Sequence, residues 1–489
     1  MVTRRKTLGA GIAAAGAALT GAGLSPLIAN AAGASSTTGS GTRRAATAAA
    51  VPKFEVPMPV IPVLQPLYSA GGADVYTITM KRARTEILPG TPADVVTYNG
   101  SFPGPTIRAR RGRPVVVRQR NHLDVATSVH LHGAALHQRN DGHPMDTIEP
   151  GGERLYYYPN RQSHASLWYH DHAHHIESEN VYRGLSGSYL LTDDTEAALP
   201  LPAGQYETVV AIRDARFDDA GQLAYTMSDR ARNTLLTNGV PYPYAEVAAR
   251  KYRLRLLNSS NARAFELRLA DGGPLVQIGS DGGLLPRPHT TDKVFLSAGE
   301  RADVIVDFSR YPVGSSVVLK NTIGFGPPEE IGEVLRFDVV RTASDPSKVP
   351  DVLRTLPSLP EPTAERTIRL RMDEDGTPQA KAYIDDKVYA PERIDAAIRY
   401  GASEVWTVTN ENTRAVHNFH MHLVQFRLLE RGGQSPGPAE AGLKDTVFLG
   451  PGETLKLQAT FDTYRGKFVY HCHMLDHSAM GMMATMRIA

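Results

Sequence analysis

The sequence predicts an all-β protein made of three similar domains, each a Greek-key β-sandwich or barrel. The chain has 489 residues, a length at which roughly two to four domains are expected and a single small module is excluded. Its 43 glycines and 34 prolines favour many turns over long helices. Segments that alternate in the manner of β-strands recur three times along the chain, and this repetition sets the number of domains.

Short strands are indicated where apolar and polar residues alternate and Gly, Pro or Asn stands at the ends. The segments 77–80, 115–120 and 303–308 show this pattern. Beyond residue 31, no stretch shows convincing helical periodicity. We therefore expect short antiparallel strands along the whole chain after its amino terminus.

Two landmarks recur in the same order in each copy. The first is a strand that ends in Asn and is followed, after a short loop, by an alternating strand; the second is a Gly-Glu pair, with another strand 17 or 18 residues after the Glu. The Asn-ending strands are 114–121, 251–258 and 404–410, and the Gly-Glu pairs begin at Gly152, Gly299 and Gly452. These copies predict domains at 53–195, 196–350 and 351–489.

The amino terminus predicts export. Arg4 and Arg5 precede an Ala/Gly-rich apolar stretch that ends in Ala29-Asn30-Ala31, a small-x-small cleavage signal. Residues 1–31 are therefore interpreted as a twin-arginine signal peptide, and 32–52 as a low-complexity spacer. The alternative, a membrane anchor, is disfavoured because Gly and Ala give weak hydrophobicity. We expect an extracellular, periplasmic or cell-envelope protein with no permanent membrane span.

The charge balance argues against a nucleic-acid partner. Lys and Arg number 53 and Asp and Glu 51, which gives a net charge of +2. No long basic tract is present to provide the positive field that nucleic-acid binding requires.

The histidines concentrate on the repeated strands of the first and third copies only. On a strand, residues i and i+2 face the same side, so a His-x-His pair presents two imidazoles to one face. The second copy has Glu266, Arg268, Val318 and Lys320 at the corresponding positions and is predicted to carry no metal site. Ten of the 17 histidines lie in four clusters: His130 and His132; His170 and His172; His417, His420 and His422; and His471, His473 and His477.

Cys472 is the only cysteine, so it forms no intramolecular disulfide, and it indicates which metal the histidines favour. Imidazole by itself suits zinc, copper and iron. Between His471 and His473, the thiol faces the opposite side from the two imidazoles, so one segment can reach two sites. His417, Cys472 and His477, with Met482 as a weak axial ligand, form the His2Cys-plus-Met set of a blue-copper electron-transfer site. Two alternatives are that Cys472 is a core residue and that the paired histidines bind zinc.

The four histidine clusters resemble, in order and spacing, the copper motifs of multicopper oxidases, and most resemble those of bacterial laccases, spore-coat laccases and bilirubin-oxidase-like enzymes. The resemblance covers essentially the whole chain after the signal and implies three cupredoxin-like domains. It departs at Asn418, where the family often has Pro, and at Leu423, where Gly is common. The motifs are His130-Leu131-His132-Gly133, Tyr169-His170-Asp171-His172, His417-Asn418-Phe419-His420-Met421-His422 and His471-Cys472-His473-Met474-Leu475-Asp476-His477 with Met482.

The resemblance implies four coppers per chain. The type 1 site would use His417, Cys472, His477 and Met482, and the type 2 copper would use His130 and His420. The two type 3 coppers would be held by His132, His170, His172, His422, His471 and His473.

The implied activity is the one-electron oxidation of phenolic, aminophenolic or bilirubin-like donors at the type 1 copper. This oxidation is coupled to the four-electron reduction of dioxygen to water at the trinuclear cluster. The expected partners are a small-molecule reducing substrate and dioxygen, and the chain is expected to be a monomer. Two alternatives stay open: a cuprous-ion oxidase in copper homeostasis, and a non-enzymatic envelope or cell-division protein on the same fold.

The resemblance also implies a catalytic role for Asp141, nine residues after His132, as a proton donor beside the trinuclear centre. The alternative is that Asn140-Asp141-Gly142 is only a turn. A second acid that the family commonly has after the last type 1 histidine is replaced here by Ser478.

Overall fold

The computed structural model describes residues 51–377 and 379–489, and this part of the chain is all-β, as predicted. The predicted signal peptide and all but the last two residues of the predicted spacer lie outside the described residues. Among the described residues, no helix is both long enough and apolar enough to cross a membrane.

The first predicted domain contains two sheets whose inner faces share one apolar core. Its strands are β1 (Tyr68–Ala70), β2 (Ala73–Leu88), β3 (Thr91–Tyr98), β4 (Gly104–Arg110), β5 (Val115–Asn121), β6 (Val129–His132), β7 (Glu153–Tyr158), β8 (Ala165–Asp171) and β9 (Ser186–Thr192). Helix α1 (Glu177–Arg183) precedes β9, and α2 (Asp194–Ala197) follows it. One sheet has the order β1-β2-β5-β7, with β3 paired to β2, and the other has the order β4-β9-β8-β6.

The second predicted domain also contains two sheets around a core of its own. Its strands are β10 (Glu207–Ala215), β11 (Thr234–Thr237), β12 (Val240–Pro241), β13 (Tyr244–Ala249), β14 (Lys251–Asn258), β15 (Phe265–Leu269), β16 (Leu275–Ser280), β17 (Gly283–Thr291), β18 (Val294–Leu296), β19 (Arg301–Asp307), β20 (Ser316–Asn321) and β21 (Glu333–Thr342). Helix α3 is Pro328–Ile331. The sheet orders are β12-β11-β10-β14-β19-β16-β17 and β13-β21-β20-β15-β18.

The third predicted domain repeats the arrangement, and its core includes Cys472 and Met482. Its strands are β22 (Ala364–Met372), β23 (Ala382–Ile384), β24 (Ala396–Ile398), β25 (Ser403–Asn410), β26 (His417–Met421), β27 (Arg427–Arg431), β28 (Thr446–Leu449), β29 (Thr454–Thr460), β30 (Gly466–His471) and β31 (Met483–Ile488). Helix α4 is Leu475–Ala479. The sheet orders are β23-β22-β25-β29-β27 and β24-β31-β30-β26-β28.

The Asn residue that recurs in the three copies forms the same kind of hydrogen bonds in each of them. Asn121, Asn258 and Asn410 end β5, β14 and β25, and all three are fully buried. Each side-chain amide donates to one backbone carbonyl of the following loop and to at least one carbonyl 27 to 40 residues further along the chain. Each side-chain oxygen accepts from the backbone N–H two residues later. A buried loop needs such partners for its backbone groups. This requirement explains why the sequence repeats an Asn at the strand end.

None of the six sheets crosses a predicted domain limit. The limit between residues 195 and 196 falls inside α2, and the exact boundaries stay a prediction.

The expectation of antiparallel strands throughout is wrong, because each sheet contains one parallel pair, for example β2 with β5, β10 with β14 and β22 with β25. Alternating residues show that a strand forms but not the direction of its neighbour.

Candidate functional site

Eight histidine side chains from the first and third domains meet in one buried cluster. His130 on β6 lies opposite His170 on β8, and His420 on β26 lies opposite His471 on β30. All eight are at most 1 % exposed. Burial lowers the pKa of every one of these imidazoles, so they are neutral and can offer lone pairs to a metal. The eight are His130, His132, His170, His172, His420, His422, His471 and His473.

The ring nitrogens approach one another at spacings that suit a shared cation. His132 Nδ1 lies 3.1 Å from His473 Nε2, which in turn lies 3.4 Å from His170 Nε2. His471 Nε2 lies 3.2 Å from His172 Nε2 and 3.3 Å from His422 Nε2. Two imidazoles bound to one metal at about 2.0–2.1 Å place their nitrogens roughly 3.3 Å apart. The described residues therefore fit a metal in each of these two groups.

His130 and His420 complete the cluster. Their Nε2 atoms are buried and have no hydrogen-bond partner among the described residues. An unpartnered buried polar atom is costly, and a metal ion would relieve that cost. The donor set as a whole, neutral imidazoles without a carboxylate at the centre, suits copper, zinc or iron better than magnesium or calcium.

Hydrogen bonds on the outer side of the rings decide which nitrogen faces the cluster. In five of the imidazoles Nδ1 is hydrogen-bonded outward, so Nε2 faces the cluster; His132 is reversed, with Nε2 outward and Nδ1 inward. The outer contacts are His130 to Asp141 O at 2.5 Å, His170 to Asp171 O at 2.8 Å, His420 to Asp445 O at 2.7 Å, His422 to Asp141 Oδ2 at 2.8 Å, His471 to Cys472 O at 3.0 Å and His132 to Asp445 Oδ1 at 2.8 Å.

Asp141 belongs to a turn and also contacts the cluster. Gly142, the next residue, has φ +74°, and a Cβ there would clash with the carbonyl of Val129. Asp141 is fully buried and accepts hydrogen bonds from His130 through its backbone oxygen and from His422 through Oδ2. Burial raises the pKa of its carboxyl well above the usual range. The residue is thus placed beside two members of the histidine cluster.

In two of the motifs the residue directly after the last histidine has left-handed backbone. Gly133 follows His132 with φ +81°, and Leu423 follows His422 with φ +73°. The left-handed region favours Gly, which accounts for the Gly that is common in the family at position 423. Here a Leu side chain is accommodated with backbone strain.

A second, separate group of ligands forms around Cys472. His417 Nδ1 and His477 Nδ1 lie 3.1 Å apart, and Cys472 Sγ lies 3.9 Å and 3.6 Å from these atoms. His417 Nε2–H donates to Asn412 Oδ1 at 2.8 Å, which turns Nδ1 toward the sulfur. Burial raises the pKa of the Cys472 thiol to about 12, so a thiolate here requires a cation beside it. Two imidazoles and one sulfur suit copper.

Met482, and not its neighbour Met483, shares the core of the Cys472 site. Met482 is fully buried in the same apolar cluster as Cys472, and its carbonyl accepts a hydrogen bond from Cys472 N–H at 3.2 Å. Met483 packs on Tyr389 and Val469 instead. Met421, Met474 and Met486 belong to the same core, and of these four methionines Met482 is the one whose backbone is hydrogen-bonded to Cys472.

The other seven histidines lie outside every group of described residues that could hold a metal. His122, His137 and His175 are exposed, and His164 Nδ1–H donates to Asp193 Oδ1 at 2.8 Å. The remaining members are His143, His174 and His289.

Sequence reasoning missed the residues that hold the ligands in place. Asp445 contacts His132 and His420, and Asn412 contacts His417. Both are ordinary polar residues near strand ends, and no pattern in a single sequence distinguishes them. Their importance is visible only in the hydrogen bonds that they form.

Comparison with known proteins agrees with the geometry. Residues 79–196, 206–324 and 360–489 each match a family model described as multicopper oxidase. A laccase from Bacillus subtilis strain 168 is 33% identical over 89% of this chain and 98% of its own length, and a bilirubin oxidase from Albifimbria verrucaria is 36% identical over 88% and 81%. The crystal structure of a laccase from Pediococcus acidilactici Pa5930 is 34% identical, covers 90% of this chain and 95% of its own, and has a TM-score of 0.83.

Proposed function

The chain belongs to the multicopper oxidase family, and on that premise we propose that it is a laccase-like oxidase of phenolic, aminophenolic or bilirubin-like donors, with dioxygen as the electron acceptor and water as the product. The proposal is supported above all by one observation: Cys472, in the His2Cys group, is flanked in the chain by His471 and His473 of the eight-histidine cluster. Bound copper would supply the one-electron redox chemistry. We propose four coppers per chain, one at the Cys472 group and three among the eight imidazoles.

The chain's own residues separate the two halves of the reaction. The eight imidazoles are buried, so bulk water would be kept from the place where dioxygen is reduced when copper is bound. In the Cys472 group, by contrast, His477 is only half-buried. A bulky donor therefore needs no entry into the core, and contact at the His477 edge suffices for electron transfer.

The two alternatives are less well supported. A protein whose task is oxidising cuprous ion would need a group of methionines that incoming ions can reach. The C-terminal Met474, Met482, Met483 and Met486 are at most 1 % exposed, and the exposed Met145 and Met227 stand singly in the sequence. A non-enzymatic relative would be marked by loss of ligands, and all twelve proposed ligand residues are present in this chain.

Oxygen uptake tests the proposal. We expect the copper-loaded chain to consume one dioxygen for every four electrons taken from a methoxyphenol, an aminophenol or bilirubin, without accumulating peroxide. Cuprous ion is measured in parallel with a chain-free control. Uptake with cuprous ion alone would favour the copper-homeostasis alternative, and no uptake with any donor would favour the non-enzymatic one.

Asp141 is proposed to pass protons to the oxygen-reducing cluster, because reduction of dioxygen to water consumes four protons and imidazoles that bind metal cannot donate them. We expect Asp141→Asn to slow reoxidation of the reduced enzyme by dioxygen about tenfold or more. Reduction by the donor should be nearly unchanged, since Asn keeps the acceptor for His422. Stopped-flow measurement of both half-reactions checks this, and equal reoxidation rates would leave Asp141 as a turn and supporting residue.

Met482 is proposed as the weak axial ligand of the Cys472 group, so it tunes the potential more than it holds copper. Met482→Leu should stay blue, keep its copper, and have a higher reduction potential in a redox titration. Loss of copper from this variant would contradict the weak-ligand assignment.

Export through the twin-arginine route is proposed from Arg4 and Arg5. Lys in place of both arginines should leave the chain inside the producing cell, and fractionation of that cell checks this. Unchanged export would contradict the assignment.

A further inference from the structure

The second domain provides no ligand, yet its segment 297–301 lies against both groups of ligands. Gly299 has φ +85°, and a Cβ there would come within 2.7 Å of His473 Nδ1, so the backbone is packed directly on that ring. Ala298 O accepts a hydrogen bond from Asn418 Nδ2 at 2.8 Å, and Asn418 Oδ1 accepts from the backbone N–H of Met474 beside the Cys472 site. The segment ends in Arg301, the first residue of β19.

Arg301 is a buried guanidinium with all five N–H groups hydrogen-bonded, and its partners come from all three predicted domains. Nη1 and Nη2 bind the two carboxylate oxygens of Asp445 at 2.7 Å and 2.6 Å, a bidentate pair. The remaining donors contact Ser166 O at 2.8 Å, Gly299 O at 3.0 Å and Asp281 O at 3.1 Å. Such a guanidinium has no freedom to turn, so it fixes the plane of the Asp445 carboxylate.

Asp445 in turn forms hydrogen bonds with two imidazoles of the histidine cluster. Its Oδ1 accepts from His132 Nε2–H at 2.8 Å, and its backbone oxygen accepts from His420 Nδ1–H at 2.7 Å. His132 is the imidazole that presents Nδ1 inward, and this tautomer depends on an acceptor at Nε2. Arg301 holds the Asp445 carboxylate in the orientation in which Oδ1 accepts from His132, and Thr446 Oγ1 lies 3.1 Å from the same nitrogen.

We propose that Arg301 of the second domain is a positioning residue that, through Asp445, orients His132 and thereby sets the copper affinity of the eight-histidine cluster. The inference rests on the proposed copper binding by that cluster. It gives the second domain a task beyond spacing the other two, since the arginine acts on a ligand of the first domain through a carboxylate of the third.

A buried arginine can also be no more than a link between domains, and Arg255 provides the matched control. Arg255 is buried, lies in the same domain and bridges Glu196, Glu207 and Asp303 at 2.9 to 3.1 Å. It contacts Ser166, as Arg301 does, but it does not contact Asp445. Lys in place of either arginine keeps the charge but loses the bidentate geometry. A purely structural role predicts the same outcome for both substitutions.

The experiment measures copper per chain by elemental analysis during dialysis against a copper chelator, together with the blue absorbance of the Cys472 site. We expect Arg301→Lys to lose the copper of the histidine cluster at a free-copper concentration about 10- to 100-fold higher than the wild type does, while the blue band is kept. Arg255→Lys should keep the wild-type copper profile. Equal loss from both variants, or no loss from Arg301→Lys, would overturn the proposal.

Asp445→Asn decides the same question if Arg301→Lys does not accumulate. Asn keeps the size of the side chain and one oxygen, but it gives Arg301 a single side-chain acceptor, so the bidentate pair is lost. We expect the same selective loss of cluster copper, and an unchanged profile would overturn the proposal. If the wild type itself holds only the blue copper, the proposed function fails instead, and the two failures are thus distinguishable.

Discussion

Cys472→Ser is expected to abolish the blue colour and the oxidase activity, while copper still binds to the eight-histidine cluster. The colour requires charge transfer from a thiolate to copper, and a serine hydroxyl cannot supply it. The same substitution removes the sulfur that lies 3.6 Å from His477 Nδ1. Cys472 is also covalently bonded, through the backbone, to His471 and His473 of the eight-histidine cluster. Activity should fall to the background of the assay.

The measurement combines visible absorbance, oxygen uptake and copper content. Met483→Leu is the matched control, because Met483 is equally buried but packs on Tyr389 and Val469. That variant should remain blue and active. A Cys472→Ser protein that keeps its blue band would contradict the assignment, as would a wild type that binds a single zinc and stays colourless after copper loading.

Arg232→Met is expected to lower the free energy of unfolding by about 3–5 kcal/mol, the usual result of removing one partner from a buried ion pair. The Arg232 guanidinium is fully buried and donates to Asp214 Oδ2 and to Asp476 Oδ2, each at 2.9 Å. Met fills a similar volume but leaves Asp476 buried without its cation, and it leaves Asp214 with only the more distant Arg263 Nε at 3.4 Å. Because Asp476 directly precedes His477, the contact joins the second domain to the Cys472 site.

Urea unfolding of the copper-free chain measures this effect without the contribution of bound metal. Arg82→Met is the control, since the Arg82–Asp124 pair has a similar distance of 2.7 Å but is two-thirds exposed. Removing this exposed pair should lower the free energy of unfolding far less than removing the buried one, because solvent screens exposed charges. If Arg232→Met and Arg82→Met lowered the free energy of unfolding by similar amounts, burial would not determine how much the Arg232 ion pairs stabilise the fold.

The strand pattern was predictable because it depends on the local backbone. β5, β14 and β25 end at the predicted Asn residues, and the strands expected after the Gly-Glu pairs are present as β8, β20 and β30. The short helices were not predicted: α1 and α4 have seven and five residues, too few for an apolar periodicity to show. They form where the chain packs between domains.

The sequence by itself determined the fold class, the three copies, the ligand types and the opposite facing of Cys472 and its two histidine neighbours. All of these follow from strand periodicity and from the chemistry of imidazole and thiolate. Only the tertiary structure decided which histidines come together, since His132 and His473 are 341 residues apart in the chain and meet at 3.1 Å. It also decided which ring nitrogen faces inward, because that depends on Asp445 and Arg301, whose positions are set by packing between domains and not by any local pattern.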